Sequence, residues 1–351
     1  MPTLTLTDRL GRPTAPALPT TPASISWRPA TEADIDAVHE VFAAADAADH
    51  PTWITPRQDI ADVFALSHID NARDTLVAVD EHGRLVAAGT AMLHPSRVDG
   101  TLAVDIGGAV RPDSRRQGIG SALLTWLHDR AVQQIADAAR ALEGGGREGV
   151  LRMHSRDDNL DQIAIAERAG FSPERWFSTM VRDLAGASAA PVPDIAASEG
   201  ISVVAYDHSR DLDAMAARND AFRDHWGSLP SAPERWMQFV GGDFFRSDLS
   251  RLAVDAHGAI VAFCLASVNP EDFASMGATH AYIDLIGVVR SHRRRGLAPL
   301  VVSHALHAIA AEGLEKAVLD VDTASPTGAN TLYEGLGFYA TERDVALTRR
   351  I

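Results

Sequence analysis

The stretch Val288-Val289-Arg290-Ser291-His292-Arg293-Arg294-Arg295-Gly296-Leu297-Ala298 has a counterpart in Val110-Arg111-Pro112-Asp113-Ser114-Arg115-Arg116-Gln117-Gly118-Ile119-Gly120. Each reads as the end of a strand, a basic turn of the form R-x-x-G-x-G/A, and the apolar opening of a helix. Such a turn aims successive backbone N–H groups and the positive end of a helix at one spot, where an anion is held. Gly118, Gly120 and Gly296 keep Cβ atoms away from a close backbone approach. Arg115 and Arg116, like Arg293, Arg294 and Arg295, add charge to a site already made of N–H donors. One copy alone also reads as a solvated basic turn capping a helix. Two copies in matched surroundings argue for a phosphate site. Neither copy has the G-x-G-x-x-G of a dinucleotide-binding turn or the Gly-Lys-Ser/Thr of a P-loop.

Outward from the two turns the surroundings do match. Ile25-Ser26 and Ile201-Ser202 open two halves, and Gly170-Phe171 and Gly337-Phe338 stand near their ends. The separation is nearly constant and shortens late in the second half, the mark of a tandem repeat. Apolar periodicity predicts a first helix over Ala33 to Ala48 and again over Leu212 to Arg223. Two strands follow, Thr75 to Asp80 and Arg84 to Met92, around the turn Asp80-Glu81-His82-Gly83. The second half repeats them as Arg251 to Val254 and Ala259 to Val268, around Asp255-Ala256-His257-Gly258. The glycine turns lead into helices over Ser121 to Ala139 and Leu300 to Glu312. Strands over Gly149 to His154 and Ala317 to Val321 come next, then a short helix and a closing strand. The order in each half is β-α-(α)-β-β-β-α-β-α-β. The predicted organisation is a flexible or loosely docked tail over 1–24, a unit over 25–185, a linker over 186–200 with Pro191 and Pro193, and a second unit over 201–351.

The chain has 351 residues, long for one domain and comfortable for two. Its net charge of -15 argues against general nucleic-acid binding, which needs a basic face. The single cysteine, Cys264, excludes an internal disulfide and suits a cytoplasmic protein. It stands in the apolar run Ala259 to Ala266 and reads as a buried strand residue. No run approaches a membrane span, and no secretory signal is visible. No pair of histidines has zinc-ligand spacing on a helix, so no metal is expected.

The element order, with R-x-x-G-x-G/A after the fourth strand, resembles the GNAT N-acetyltransferase superfamily over both halves. Val-x-Pro-x-x-Arg before the first turn adds to the resemblance. So does Asn330-Thr331-Leu332-Tyr333-Glu334-Gly335-Leu336-Gly337-Phe338, which is similar to the family's Asn…Leu-Tyr-Glu-x-Leu-Gly-Phe segment. The resemblance implies an α/β (α+β) fold of two tandem units, each a mixed, mostly antiparallel twisted sheet flanked by helices, with a splayed fourth strand. It implies acetyl-CoA as cosubstrate. The pyrophosphate would lie on the turn amides of Arg115, Arg116, Gln117, Gly118, Ile119 and Gly120, after Val110. In the second unit it would lie on Arg293, Arg294, Arg295, Gly296, Leu297 and Ala298. The pantetheine arm would pair with Ile286, Gly287 and Val288 and touch Asn330.

The halves are not equivalent. The resemblance implies that Tyr333 protonates the departing thiolate; a phenol with an ordinary pKa near 10 keeps its proton at neutral pH. The same residue also reads as a half-buried packing tyrosine. Counting back from Gly170-Phe171, the first unit has Ile163 opposite Asn330 and Ala166 opposite Tyr333, with Asn159 out of register. One catalytic unit, the second, is therefore expected. This pairing of an incomplete first unit with a complete second resembles the mycothiol synthases, a tandem branch of the family with its chemistry in the second unit. Acyl transfer to an amine also needs a proton acceptor, and Asp284 in the apolar run His280 to Val288 is the candidate. Asp105 is its near-equivalent in the first unit. Strand alternation puts Asp284 with His280, Tyr282, Ile286 and Val288, and a bulge would change that parity. The Val288 N–H is the candidate donor to the thioester carbonyl.

Asp224, His225, Trp226 and Tyr282 are the candidate acceptor contacts. The segment Asn219 to Gly227 equally reads as a helix end with Trp226 packed inward. The expected activity is acetyl transfer from acetyl-CoA to a primary amine of a small molecule, by direct attack, in a monomer. The rival expectations are a protein or peptide amine as acceptor, and an acetyl-CoA sensor without turnover.

Overall fold

The computed structural model describes residues 5–20, 24–50, 52–98, 100–142, 145–184, 200–325 and 328–351. In chain order the elements are α1 (Leu6–Leu10), β1 (Ser26–Arg28), α2 (Ile35–Asp49), α3 (Arg57–Ala65), α4 (Asn71–Asp74), β2 (Thr75–Val79), β3 (Leu85–Leu93), β4 (Thr101–Val110), α5 (Ile119–Arg140), β5 (Glu148–Arg156), α6 (Leu160–Arg168) and β6 (Ser172–Asp183). The second half continues with β7 (Ser202–Ala205), α7 (Asp211–Ala221), α8 (Pro233–Gly241), β8 (Arg251–Val254), β9 (Ile260–Ser267), α9 (Phe273–Met276), β10 (His280–Val288), α10 (Leu297–Ala311), β11 (Lys316–Asp322), α11 (Ala329–Gly335) and β12 (Tyr339–Arg350). The expected order of elements is present in both halves. The linker expected over 186–200 lies, apart from Gly200, outside the described residues.

Contacts divide the chain into unit 1, Met1–Arg175 with Asp344–Ile351, and unit 2, Trp176–Arg343. In unit 1 the strands run β1-β2-β3-β4-β5-β12. All pairs are antiparallel except β4 with β5, which are parallel from Thr101↔Glu148 to Asp105↔Arg152. In unit 2 the strands run β7-β8-β9-β10-β11-β6, again with one parallel pair, β10 with β11, from His280↔Lys316 to Tyr282↔Val318. In both units the parallel pair stops well before the glycine turn, so the fourth strand splays from the fifth. The closing strands are exchanged. Residues of β6 pair with β11, Asp183 against Lys316, and residues of β12 pair with β5, Arg350 against Val150. Both closing strands run from exposed residues into a buried stretch, 180–182 and 345–348, so local pattern does not determine which edge each one takes.

Each sheet is covered on both faces. In unit 1, α5 buries Leu123, Leu124 and Leu127 at helical spacing, and α2 and α3 bury Val38, Val41, Ile60 and Phe64 on the other side. In unit 2, α10 buries Leu300, Val301 and Ala305 against Ala262, Cys264 and Ala266, while α7 and α8 bury Ala214, Ala217, Trp236 and Val240 against Leu252, Phe263 and Leu265. Burying one aliphatic side chain of this size stabilises by about 1.5–3 kcal/mol. The tail is not featureless. Helix α1 carries a Thr5–Asp8 capping box, its Leu6 is fully buried, and Leu6 and Thr7 N–H donate to Gly146 O and Gly145 O. Among the described residues no helix is long and apolar enough to cross a membrane.

Candidate active site

The glycine turns fold alike. Arg116 and Arg294 take positive φ, 64° and 60°, and Gly118 and Gly296 follow at 81° and 74° as helix N-caps. A left-handed backbone costs an arginine about 1–2 kcal/mol, and its presence twice at matched positions marks a turn shape that is held on purpose. The first intrahelical bonds run from Ala122 N–H to Gly118 O and from Leu300 N–H to Gly296 O. The N–H groups of Gly118 to Gly120, and of Gly296 to Ala298, therefore stand at the opening of the helix, the end that favours an anion.

The expected basic residues divide into two kinds. Arg115 donates both Nη groups to Asp49 at 2.8 and 2.7 Å and its Nε to Val110 O. Arg293 donates to Asp224 Oδ2 at 3.0 Å and to Ala221 O at 2.8 Å. These two arginines tie the turn to the end of the first helix in each unit. Arg116 reaches Asp161, and Arg294 is exposed beside the turn. Sequence reasoning missed the ties. Their signal was the pair Asp49 and Asp224, each near the end of the first helix of its half.

The strands leading into the turns aim N–H groups at the splay. Val289 N–H donates to Val261 O at 3.0 Å, and Arg111 N–H to Val86 O at 2.9 Å. Antiparallel alternation then turns the Val288 and Val110 N–H groups away from β9 and β3, toward the gap left by the fifth strand. Ile286 faces the same way as Val288. Gly287 lies against Phe263 across the β9–β10 ladder.

Asp284 sits at a bulge. The β9–β10 register shifts between Ile283 and Leu285, leaving Asp284 as the extra residue, whereas β3–β4 runs without a shift from Ala87↔Val110 to Leu93↔Val104. With Val110 and Val288 matched, Asp105 stands opposite Tyr282, not Asp284, and Asp284 has no counterpart in unit 1. Ser267 Oγ donates to Asp284 Oδ2 at 2.8 Å. Tyr282 donates its hydroxyl to Asp320 Oδ2 at 2.7 Å, and Thr179 donates to the other oxygen, Oδ1, at 2.7 Å. Asp105 instead pairs with Arg152 at 2.8 Å. Ser267, Thr179 and Asp320 were not anticipated.

Tyr333 is on α11, 8% exposed, with its ring edge-on to Phe338. Burial pushes its phenol above the ordinary value, and the nearby Cys264 adds to the shift. Burial likewise pushes the Cys264 thiol up, and Asp284 adds to that, so Tyr333 and Asp284 both lie within electrostatic reach of one buried thiol. Cys264 is a packing residue, fully buried. Asn330 donates to Asp322 O at 3.1 Å, holding the start of α11 to the end of β11. In unit 1, Ala166 is fully buried in the place of Tyr333, and Asn159 caps α6, accepting from Gln162 N–H.

Asp224 is engaged by Arg293 and Arg290. His225 lies tilted on Phe222, 5.4 Å between centroids, with Nδ1 3.1 Å from Trp226 O. Trp226 packs on Phe177 of β6, 6.2 Å between centroids. Trp236 is core, 2% exposed.

The profile of the acetyltransferase (GNAT) family matches residues 38–171 and again residues 213–338, most of the chain and once per half. A mycothiol acetyltransferase of Kineococcus radiotolerans is 32% identical over 326 residues, covering 88% of this chain and 91% of that one. A mycothiol acetyltransferase of Thermomonospora curvata is 25% identical over 317 residues, 88% and 92% of the two chains. Among solved structures, a GCN5-related N-acetyltransferase from Sphaerobacter thermophilus superposes with a TM-score of 0.68 at 23% identity, covering 94% and 97%. A tandem GNAT protein from the clavulanic acid biosynthesis pathway superposes with 0.63 at 17% identity, covering 93% and 98%. Two family matches, two splayed strands and two glycine turns agree, and the chain belongs to the GNAT family as a tandem N-acetyltransferase.

Proposed function

We propose that the second unit transfers an acetyl group from acetyl-CoA to a primary amine of a small molecule, and that the first unit does not. One observation carries the reading: unit 2 has Tyr333 and the bulged Asp284, where unit 1 has Ala166 and an unbulged strand. The glycine turn at Arg293 to Ala298 holds the diphosphate, and β10 pairs with the pantetheine arm. The amine nitrogen attacks the thioester carbonyl carbon. The Val288 N–H receives the oxyanion. Asp284 takes the proton released from the amine, and the C–S bond breaks as Tyr333 protonates the sulfur. The products are an amide and free CoA thiol; the proton taken by Asp284 returns through water to the Tyr333 phenolate, so atoms and charge balance and the enzyme is restored.

The acceptor lies against Tyr282, Asp320, Phe177 and Trp226, two polar groups and two rings suited to a compact polar amine. Curated relatives that span most of this chain are named mycothiol acetyltransferases, so an acceptor of the mycothiol class heads the candidates. The test is thiol release from acetyl-CoA over a panel of aminosugar thiols, other small amines and peptides, with the wild type and Tyr333→Phe. A small-amine substrate whose turnover falls about 100-fold or more in the variant, with acetyl-CoA still bound, supports the reading. Equal turnover in the variant removes Tyr333 from the chemistry. A peptide as the preferred acceptor removes the small-molecule assignment.

A further inference from the structure

The two units differ on the sheet face that α2 and α3 cover in unit 1 and α7 and α8 cover in unit 2. In β3–β4, Ala88 pairs with Ala109 and Thr90 with Gly107; at the matching rungs of β9–β10, Phe263 pairs with Gly287 and Leu265 with Leu285. Three large side chains of unit 2, Phe263, Leu265 and Leu285, thus stand where unit 1 has Ala88, Thr90 and Gly107. Phe263 and Leu265 are fully buried and close that face. In unit 1 the smaller residues leave a cavity of about 280 Å³, walled by Val38, Phe42, Ile60, Val63 and Phe64 and reaching Ile106 and Met153 where β4 and β5 part. A Cβ placed on Gly107 would meet no atom within 4 Å. A concave, mainly apolar space of this size is of the kind that takes a ligand.

We propose that the first unit binds an acyl-CoA thioester with an acyl group longer than acetyl, the chain filling this cavity, and holds it without transfer. The turn at Arg115 to Gly120 has the shape of its partner in unit 2, and the Val110 N–H faces the splay, so the pantetheine arm runs toward Gly107. The apolar wall selects hydrocarbon. Of the titratable residues that line it, Asp105 and Arg152 are paired with each other, and Asp59 and His154 are the others. The volume equals roughly nine waters, room for a chain of roughly six to ten carbons. Ala166 supplies no phenol to a departing thiolate. The inference rests on reading the first glycine turn as a CoA site; the binding it states does not depend on which unit catalyses, whereas the absence of transfer rests on the proposed function.

The test uses the full chain carrying Ala298→Glu, which sets a carboxylate at the second phosphate site. Calorimetric titration compares acetyl-CoA, octanoyl-CoA and free octanoate. The expected result is one site that binds octanoyl-CoA at least tenfold more tightly than acetyl-CoA, with octanoate far weaker. Gly107→Leu and, separately, Thr90→Leu place in unit 1 the side chain that unit 2 has at the same rung, and each should abolish that preference. Equal affinities for the two thioesters overturn the proposal, as does a preference that survives both variants. Octanoate binding as well as octanoyl-CoA overturns it too, since the cavity would then serve a free apolar ligand. No thioester binding here, with wild-type acetyl transfer intact, sinks this inference and leaves the proposed function standing.

Discussion

Ser267 donates its hydroxyl to Asp284 across the β9–β10 ladder, at 2.8 Å, at the one rung where the register shifts. The bulge lets the carboxylate stand in a strand whose neighbours Ile283 and Leu285 are packed, and the serine fixes its orientation. Asp284→Asn is expected to lower kcat/KM for the amine by about 100-fold or more while acetyl-CoA affinity holds. Ser267→Ala is expected to lower it by about tenfold, since a mispositioned base loses orientation and keeps its chemistry. Steady-state kinetics with both substrates varied distinguish these outcomes; an unchanged Asp284→Asn enzyme would remove the carboxylate from the mechanism.

Gly287 is required by packing. A Cβ there would come 2.3 Å from Phe263 Cζ and 3.0 Å from Ala221 Cβ. Gly287→Ala therefore overpacks the face under α7 and is expected to cost about 1–3 kcal/mol. Thermal melting measures the loss, and Phe263→Leu in the same chain should return part of it.

Below the sheet of unit 1, Arg130 and Asp74 form a salt bridge at 2.7 Å with both side chains under a tenth exposed, and Gln134 donates to the same carboxylate. Such a pair adds little over apolar packing, but breaking it strands a buried charge. Asp74→Ala is expected to cost about 3–5 kcal/mol, read as a lower urea midpoint. A shift under about 1 kcal/mol would mean the arginine reaches water.

Asp34 gives the acid limb of stability. Hydrogen bonds from Arg28, at 2.7 Å to each oxygen, lower its carboxyl to about 2, against a burial that opposes the shift. A depressed carboxyl contributes stability that is full above its unfolded value, near 3.8, and is lost as pH falls from there toward about 2. Arg28 is half exposed, so the contribution is about 1–2 kcal/mol. Asp34→Asn should flatten the decline of stability between pH 4 and pH 2 (roughly the window between the two values) and lower stability at neutral pH. An unchanged acid profile would contradict the assignment. His280 extends the acid loss to a higher pH: burial lowers its imidazole, so stability falls as pH drops below about 6.5, where the unfolded chain takes up a proton that the folded state resists.

Much of the site was legible because it is local. The glycine turns, the strand positions of β4 and β10 and the helix that carries Asn330 and Tyr333 are short-range patterns, and each element is found where the pattern put it. What was not legible depends on pairing between distant segments. The exchange of β6 and β12 leaves no mark in either strand's own pattern, since both run from exposed residues into a buried stretch. The parity of Asp284 turned on a bulge that one strand has and its repeat lacks. The arginines of the turns read as phosphate ligands, and the pairing of two of them, Arg115 with Asp49 and Arg293 with Asp224, was not read from the sequence. The cavity of unit 1 emerges only when Ala88, Thr90 and Gly107 are set against Phe263, Leu265 and Leu285 rung by rung.

The central claim is that acetyl transfer belongs to the second unit, and a matched pair of variants tests it most directly. Ala298 and Gly120 hold the same place in the first turns of α10 and α5. A glutamate at either has no left-handed backbone to oppose it and is favoured by the helix N-terminus, so folding is preserved while the diphosphate is repelled. Thiol release from acetyl-CoA with a saturating amine should fall to background in Ala298→Glu and stay within about threefold of the wild type in Gly120→Glu, a change under 1 kcal/mol in the barrier. Loss of turnover in Gly120→Glu with activity retained in Ala298→Glu would place the chemistry in the first unit and contradict the account.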